Sequence, residues 1–266
     1  MPEGHTIHRI ARDHRKVLVG QPVAVSSPQG RFAESAAHID GRVLRRIDPY
    51  GKHLFYDWGD GDLVHVHLGL FGKYRVNRHP GGEPPEPVGA VRMRLSTPEV
   101  TIDLAGPTDC SLGTPGDREG ILARLGPDPL RPDADPKAFV ERVTKSRAPI
   151  GGLLLDQSVV AGVGNVFRAE ALFVHGIHPT HVGRSLDAPD AAALWDTVAA
   201  MLRQGVKDNK IVTVSRVELG KPRGRVTRAD GTYVYKQGSC RRCGSPIERF
   251  ALANRTMYAC PTCQPR

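Results

Sequence analysis

The 266 residues predict an α+β protein of two domains: a helix with an antiparallel β-sandwich, then a helical domain closed by a four-cysteine hairpin. Three observations carry this. A helical apolar period opens the chain. Short segments rich in β-branched and aromatic residues follow it. Longer helical periods and two C-x2-C pairs fill the remainder.

In residues 5–19, Ile7, Ile10, Ala11, Val17 and Leu18 fall at helical spacing, with charges on the other face. Segments 42–47, 53–58, 63–67, 74–76, 91–95 and 100–104 read as strands punctuated by Gly, Pro and Asp. His65 and His67 alternate with Val64 and Val66, which reads as the polar face of a strand and not as a metal pair. Residues 106–136 are rich in Pro, Gly and Asp and mark the boundary. This gives a sandwich domain at 1–115 and a linker at 116–135. Helical patterns follow at 136–145, 149–158, 165–175 and 189–204, with a basic, glycine-containing loop at 205–230. They form a domain at 136–232, and the cysteine module occupies 233–266.

Lys and Arg number 37 against 28 Asp and Glu, a net charge of +9 and a pI near 9.6. Such a surface suits a polyanion, most commonly nucleic acid, although a merely basic protein has the same composition. No apolar run is long enough for a spanning helix. The N-terminus lacks the apolar core of a signal peptide, with charges at Glu3, Arg9, Arg12 and Asp13. A cytosolic monomer is expected. In that reducing setting five cysteines argue against a disulfide framework.

Cys240 and Cys243, then Cys260 and Cys263, are two C-x2-C knuckles whose separation suits four thiolates around one Zn²⁺. Four protein ligands close the coordination sphere, so such a zinc is structural. Arg241, Arg242, Arg249 and Arg255 surround these knuckles and suit a phosphate backbone. Cys110 stands apart and reads as a buried or incidental thiol.

Removing Met1 would expose the secondary amine of Pro2. An α-amino group titrates near neutrality, at about 7.7–8.0. Attack on C1′ of a deoxyribose would give an iminium ion, with Glu3 placed to exchange protons. A proline that merely begins a helix reads the same in isolation. Gly162-Val163-Gly164-Asn165 precedes a helix, where glycines let backbone approach a phosphate that the helix N-terminus attracts. It is not a dinucleotide fingerprint, because Phe167 stands at the third glycine and no βαβ unit surrounds it.

Pro2-Glu3-Gly4, Tyr50-Gly51-Lys52-His53-Leu54, Leu125 to Leu130, Leu154 to Gln157, Ala161 to Asn165 and the four cysteines occur in this order. In this the whole chain resembles the formamidopyrimidine-DNA glycosylase/endonuclease VIII family. The Pro2-Glu3-Gly4-His5 opening looks closest to the actinobacterial endonuclease VIII branch. The resemblance implies a helix–two-turn–helix second domain bearing a zinc finger, and damaged DNA held in a basic cleft between the domains.

It also implies a bifunctional glycosylase/AP lyase of base excision repair. Pro2 would be the Schiff-base nucleophile and Glu3 its proton-transfer partner. Lys52 would be the phosphate-contacting proton donor of β-elimination, and Arg255 the finger arginine that assists δ-elimination. Arg124 and Asn165 match DNA-contacting positions. Gly69, Leu70 and Phe71 match the loop that fills the void left by the extruded nucleotide, with Gly69 where endonuclease VIII commonly has glutamine. Leu70 and Phe71 also read as ordinary sandwich core. Oxidised pyrimidines are the expected substrates, in duplex, bubble or single-stranded DNA. A glycosylase for oxidised purines and a non-catalytic zinc-finger binder are the competing readings.

Overall fold

In the computed structural model, which describes residues 2–220, 222–227 and 230–266, the chain divides into two compact units. One comprises Pro2 and Ile7–Ala123, the other Glu3–Thr6 and Arg124–Arg266. Helix α1 (Gly4–Leu18) is followed by β1 (Ala24–Ser26) and α2 (Ala33–Ile39). Strands β2 (Arg46–Tyr50), β3 (His53–Gly59), β4 (Asp62–His67), β5 (Lys73–Arg78), β6 (Val91–Ser96), β7 (Val100–Ala105) and β8 (Asp109–Gly113) come next.

They form two four-stranded antiparallel sheets, ordered β1-β6-β7-β5 and β2-β3-β4-β8. Alternate residues of β6 are buried, the two-residue period of a half-buried strand. Leu54, Tyr56, Val64 and Val66 join Met93, Leu95, Ile102 and Leu104 in one core, with Ile7, Ala11 and Leu18 of α1.

The first long strand begins at Arg46, later than the apolar pattern suggests, and includes Pro49. A proline cannot donate to a ladder, but β2 is a sheet edge, where that donor is dispensable. The short β1, α2 and β8 were not legible as elements. Helix α3 (Pro115–Leu122) lies in the stretch read as linker. Thr114 and Asp117 close a reciprocal capping box at its start.

The second unit holds α4 (Pro136–Thr144), α5 (Ile150–Leu153), α6 (Asn165–Val174), α7 (Ala188–Asp208) and α8 (Arg216–Leu219). Asp135 and Asp187 cap α4 and α7, each with proline in the first turn. Phe139, Val143, Leu172, Phe173, Leu194, Trp195, Val198 and Leu202 fill the core. Helix α5 is a single turn where a longer helix was expected. Gly151 and Gly152 weaken it, and the Asp156 side chain folds back onto Ser158, an alternative to helical bonding. Part of the expected basic loop 205–230 is helical at α7 and α8, while Lys221, Arg228 and Ala229 lie outside the described residues.

Strands β9 (Glu248–Leu252) and β10 (Arg255–Ala259) form the terminal hairpin. Its two-residue turn, Ala253-Asn254, has φ of 52° and 57°. Positive φ at both central positions is what a type I′ turn requires, and Arg255 follows it directly.

Candidate active site and finger

Glu3 is fully buried, and the N-terminus of α6 explains why. Gly164 N–H donates to Glu3 Oε2 at 2.8 Å and Val166 N–H to Oε1 at 2.9 Å, with Phe167 N–H at 3.4 Å from Oε2. The helix start attracts an anion because its first N–H groups lack helical partners. The glycines of 162–164 therefore serve the protein's own carboxylate, correcting the reading of this helix end as a phosphate cradle. A Cβ on Gly164 would lie 2.5 Å from Glu3 Cδ. Gly4 N–H donates to Gly162 O at 2.8 Å, and a Cβ on Gly4 would sit 3.0 Å from Gly162 Cα. His5 follows, buried against the Phe167 ring at 5.1 Å. Pro2, the residue before Glu3, is half-buried and outside regular structure.

Asn165 opens α6 and is almost fully buried. Its Nδ2 donates to Thr256 O at 2.9 Å, and its Oδ1 accepts from Arg168 Nε at 2.9 Å. The buried Arg168 also donates to Gly151 O at 2.9 Å and Leu252 O at 3.3 Å. One guanidinium thus ties α5 and α6 to the hairpin that presents Arg255. Burial pulls Arg168 down to about 10, opposed by the Glu3 carboxylate and helped by the Arg255 charge, so it stays charged at neutral pH.

Cys240, Cys243, Cys260 and Cys263 place their sulfurs within 4.8 Å of one another, the one such metal-capable cluster among the described residues. Cys240 and Cys263 sulfurs are 3.9 Å apart, and those of Cys243 and Cys260 3.4 Å. A tetrahedron with metal–sulfur bonds of about 2.3 Å has edges of about 3.8 Å, so the thiolates fit a four-coordinate ion. Gln264 anchors the module, accepting from Cys260 N and donating to Ile177 O.

In the sandwich unit, Lys52 sits in the two-residue turn between β2 and β3, after Gly51 at φ 54°. Leu70 and Phe71 are 52% and 83% exposed, so they are not core. Phe71 stands at a cleft of about 410 Å³ lined also by Lys73, Tyr74, Arg75, Val88 and Val91. Gly69 has φ of 62°, and a Cβ there would fall 1.9 Å from Thr108 Oγ1. A glutamine at position 69 would be strained by this backbone and would require the Thr108 side chain to move. Cys110 is buried, and burial pushes its thiol up to about 12, an inert group.

Residues 1–106 match the model of the formamidopyrimidine-DNA glycosylase N-terminal domain, and residues 125–216 match its H2TH domain. Endonuclease 8 1 of Mycobacterium tuberculosis is 48% identical over 99% of this chain and all of its own length. The chain belongs to the formamidopyrimidine-DNA glycosylase family. Endonuclease 8 of Escherichia coli is 31% identical over 99% of this chain and all of its own. A Lactococcus lactis Fpg in complex with N7-benzyl-Fapy-dG DNA superposes with a TM-score of 0.81, at 25% identity and full coverage of both chains. The protein is thus a family DNA glycosylase with AP lyase activity, and the non-catalytic reading falls away.

Within this glycosylase the second unit brings Glu3, Asn165 and the hairpin of Arg255 onto one scaffold around the start of α6. Arg124 and Arg255 are exposed. The other finger arginines are internally engaged. Arg242 lies 4.8 Å over Phe173 and 5.3 Å over Tyr233, and Arg249 donates to Gln237 O. Arg241 pairs with Asp230 at 3.7 Å. Sequence reasoning missed Arg168 and Gln264. An arginine inside an apolar helical period, as in residues 165–174, was the available signal for the first.

Proposed function

We propose that this glycosylase excises oxidised bases, pyrimidines before purines, through a Pro2 Schiff base, and then cuts the strand by β,δ-elimination. The observation that carries the reading is the Glu3 clamp. Three backbone N–H groups fix the residue next to Pro2, so the amine is tethered to a rigid helix start. Pro2 nitrogen attacks C1′, the glycosidic bond breaks, and the base departs, leaving an iminium. A C2′ proton is lost and the 3′ C–O bond breaks, with Lys52 as proton donor. Arg255, exposed on its hairpin, holds phosphate for the second elimination, and Arg124 and the remaining N–H of Asn165 add backbone contacts.

A zinc ion on the four thiolates would fix the finger without joining the chemistry. Leu70 and Phe71 wedge into the stack, where the glycine at 69 leaves no polar group to question the opposite base. Discrimination then rests on how readily a lesion unstacks, which favours non-planar, saturated pyrimidines. The enzyme acts as a monomer on chromosomal DNA in the cytosol. The test is a cleavage panel of one lesion per oligonucleotide, each as duplex, bubble and single strand. Thymine glycol and dihydrouracil should be cut fastest, with little dependence on the opposite base. Best activity on duplex 8-oxoguanine opposite cytosine would move the enzyme to the oxidised-purine class.

A further inference from the structure

The cleft beside Phe71, on the β1-β6-β7-β5 sheet, is left without a task by the chemistry above. Its volume of about 410 Å³ falls within the range of roughly 300–1,000 Å³ that holds small organic ligands. Strand register builds it. β5 is the edge of its sheet, and its side chains alternate between the two faces. Tyr74, opposite Leu104, packs on the core, where its hydroxyl accepts from Tyr56 at 3.0 Å. Lys73 and Arg75, opposite Ala105 and Asp103, share the other face and line the cleft. Val88 and Ala90, both exposed in the connection between β5 and β6, line it too.

The charge in this cleft is one-sided. Asp103 is almost fully buried, and Arg94 engages both of its oxygens, at 2.7 and 2.9 Å. Its charge is thereby matched, with Glu86 also acting on Arg94. Among the described residues, the side chain of neither Lys73 nor Arg75 has a hydrogen-bond or ion-pair partner. Two unpaired cations beside an exposed aromatic ring and two aliphatic side chains suit a ligand that is anionic at one end and flat at the other. A nucleotide has that form. Lysine and arginine take its phosphate, and its base stacks on an aromatic face whatever its identity.

We infer that this cleft receives the nucleotide opposite the lesion. The inference rests on Leu70 and Phe71 being the wedge. A wedge that enters the stack takes the space of the extruded lesion and leaves the opposite base without a partner. That orphaned base is the one brought beside Phe71, where the cleft opens. Pro2 is not among the residues that line the cleft, so the damaged nucleotide, whose C1′ goes to Pro2, is not its occupant. Stacking reads no hydrogen-bonding edge, so any of the four bases is accepted, in keeping with the expected indifference to the opposite base.

The test measures affinity of the full-length protein for DNA carrying a tetrahydrofuran abasic analogue. Three forms are compared: a duplex with a base opposite the analogue, a duplex with a second analogue opposite, and the single strand. Wild type should bind the first on the order of tenfold more tightly than the second, with each of the four bases. Ala90→Trp fills the cleft from an exposed position. It should lose that tenfold on the first form and nothing on the other two. Lys73→Ala/Arg75→Ala should lower the salt slope on the first form by about 1 for each cation and leave the single strand unchanged. Equal losses on all three forms, or none on any, overturn the inference. A diazirine on the base opposite the analogue should label residues 88–91; label confined to residues 70 and 71 leaves the base in the stack and also overturns it. If Phe71→Ala binds weakly while Ala90→Trp binds as wild type, the cleft falls and the wedge stands. If Phe71→Ala binds as wild type, the wedge reading itself falls.

Discussion

Two carboxylates in the second unit, Glu3 and Glu170, are both fully buried and both held by runs of backbone N–H groups. Glu170 accepts from Tyr233, Val234 and Tyr235 N–H and from the Thr213 hydroxyl. It pins the first residues of the cysteine module to α6. Glu3 takes the N–H groups at the start of the same helix and pins the four residues around itself. The ligation is alike and the consequence is not. Glu170 joins two parts of a core, so its loss is a loss of fold, while Glu3 secures a terminal strap whose neighbour is the proposed nucleophile.

The largest effect should separate these roles. Glu170→Gln turns an amide N–H₂ towards donors and should cost about 3 kcal/mol or more. Urea unfolding should show that loss, while the folded fraction keeps its trapping rate. Glu3→Gln should cost less stability and remove most glycosylase activity, about 10²-fold. Equal loss of stability and equal activity in the two variants would erase the comparison.

The strap has a second weak point, His5. Burial lowers this imidazole from its ordinary 6.5 to about 4. The unfolded chain thus binds more protons between those values, so stability is full above pH 6.5 and falls as pH drops towards 4. The most this single group can contribute is about 3 kcal/mol. His5→Gln should flatten urea midpoints across that window; an unchanged slope would place the acid sensitivity elsewhere.

A smaller contrast lies in the finger. Arg255 is exposed beyond its local bond to Asn254, whereas Arg242 is stacked on Phe173 and Tyr233. Arg255→Ala should leave stability within about 0.5 kcal/mol. It should lower the salt slope of DNA binding by about 1 and depress δ- more than β-elimination. Arg242→Ala should instead lower the melting temperature with little change in that slope.

Local signals were legible in the sequence because they repeat at short spacing. The cysteine knuckles, the helical periods of 136–145 and 189–204, and the strand pattern of 91–95 each repeat within a few residues. What was not legible joins distant positions. Glu3 meets Gly164 across 161 residues, and His65 meets Asp109 across 44. The glycines before α6 correctly marked an anion site, but nothing local tells a phosphate from a carboxylate that arrives from the other end of the chain. Leu70 and Phe71 suit core and wedge equally in sequence, and only their exposure separates the two.

The central claim, that Glu3 secures Pro2 as the nucleophile, is tested most directly by borohydride trapping on abasic-site DNA and mapping of the cross-linked peptide. Protein lacking Met1 should give one adduct, on the Pro2 nitrogen, and protein retaining Met1 should give none. An adduct that persists at full yield on another residue in Pro2→Gly would contradict the account.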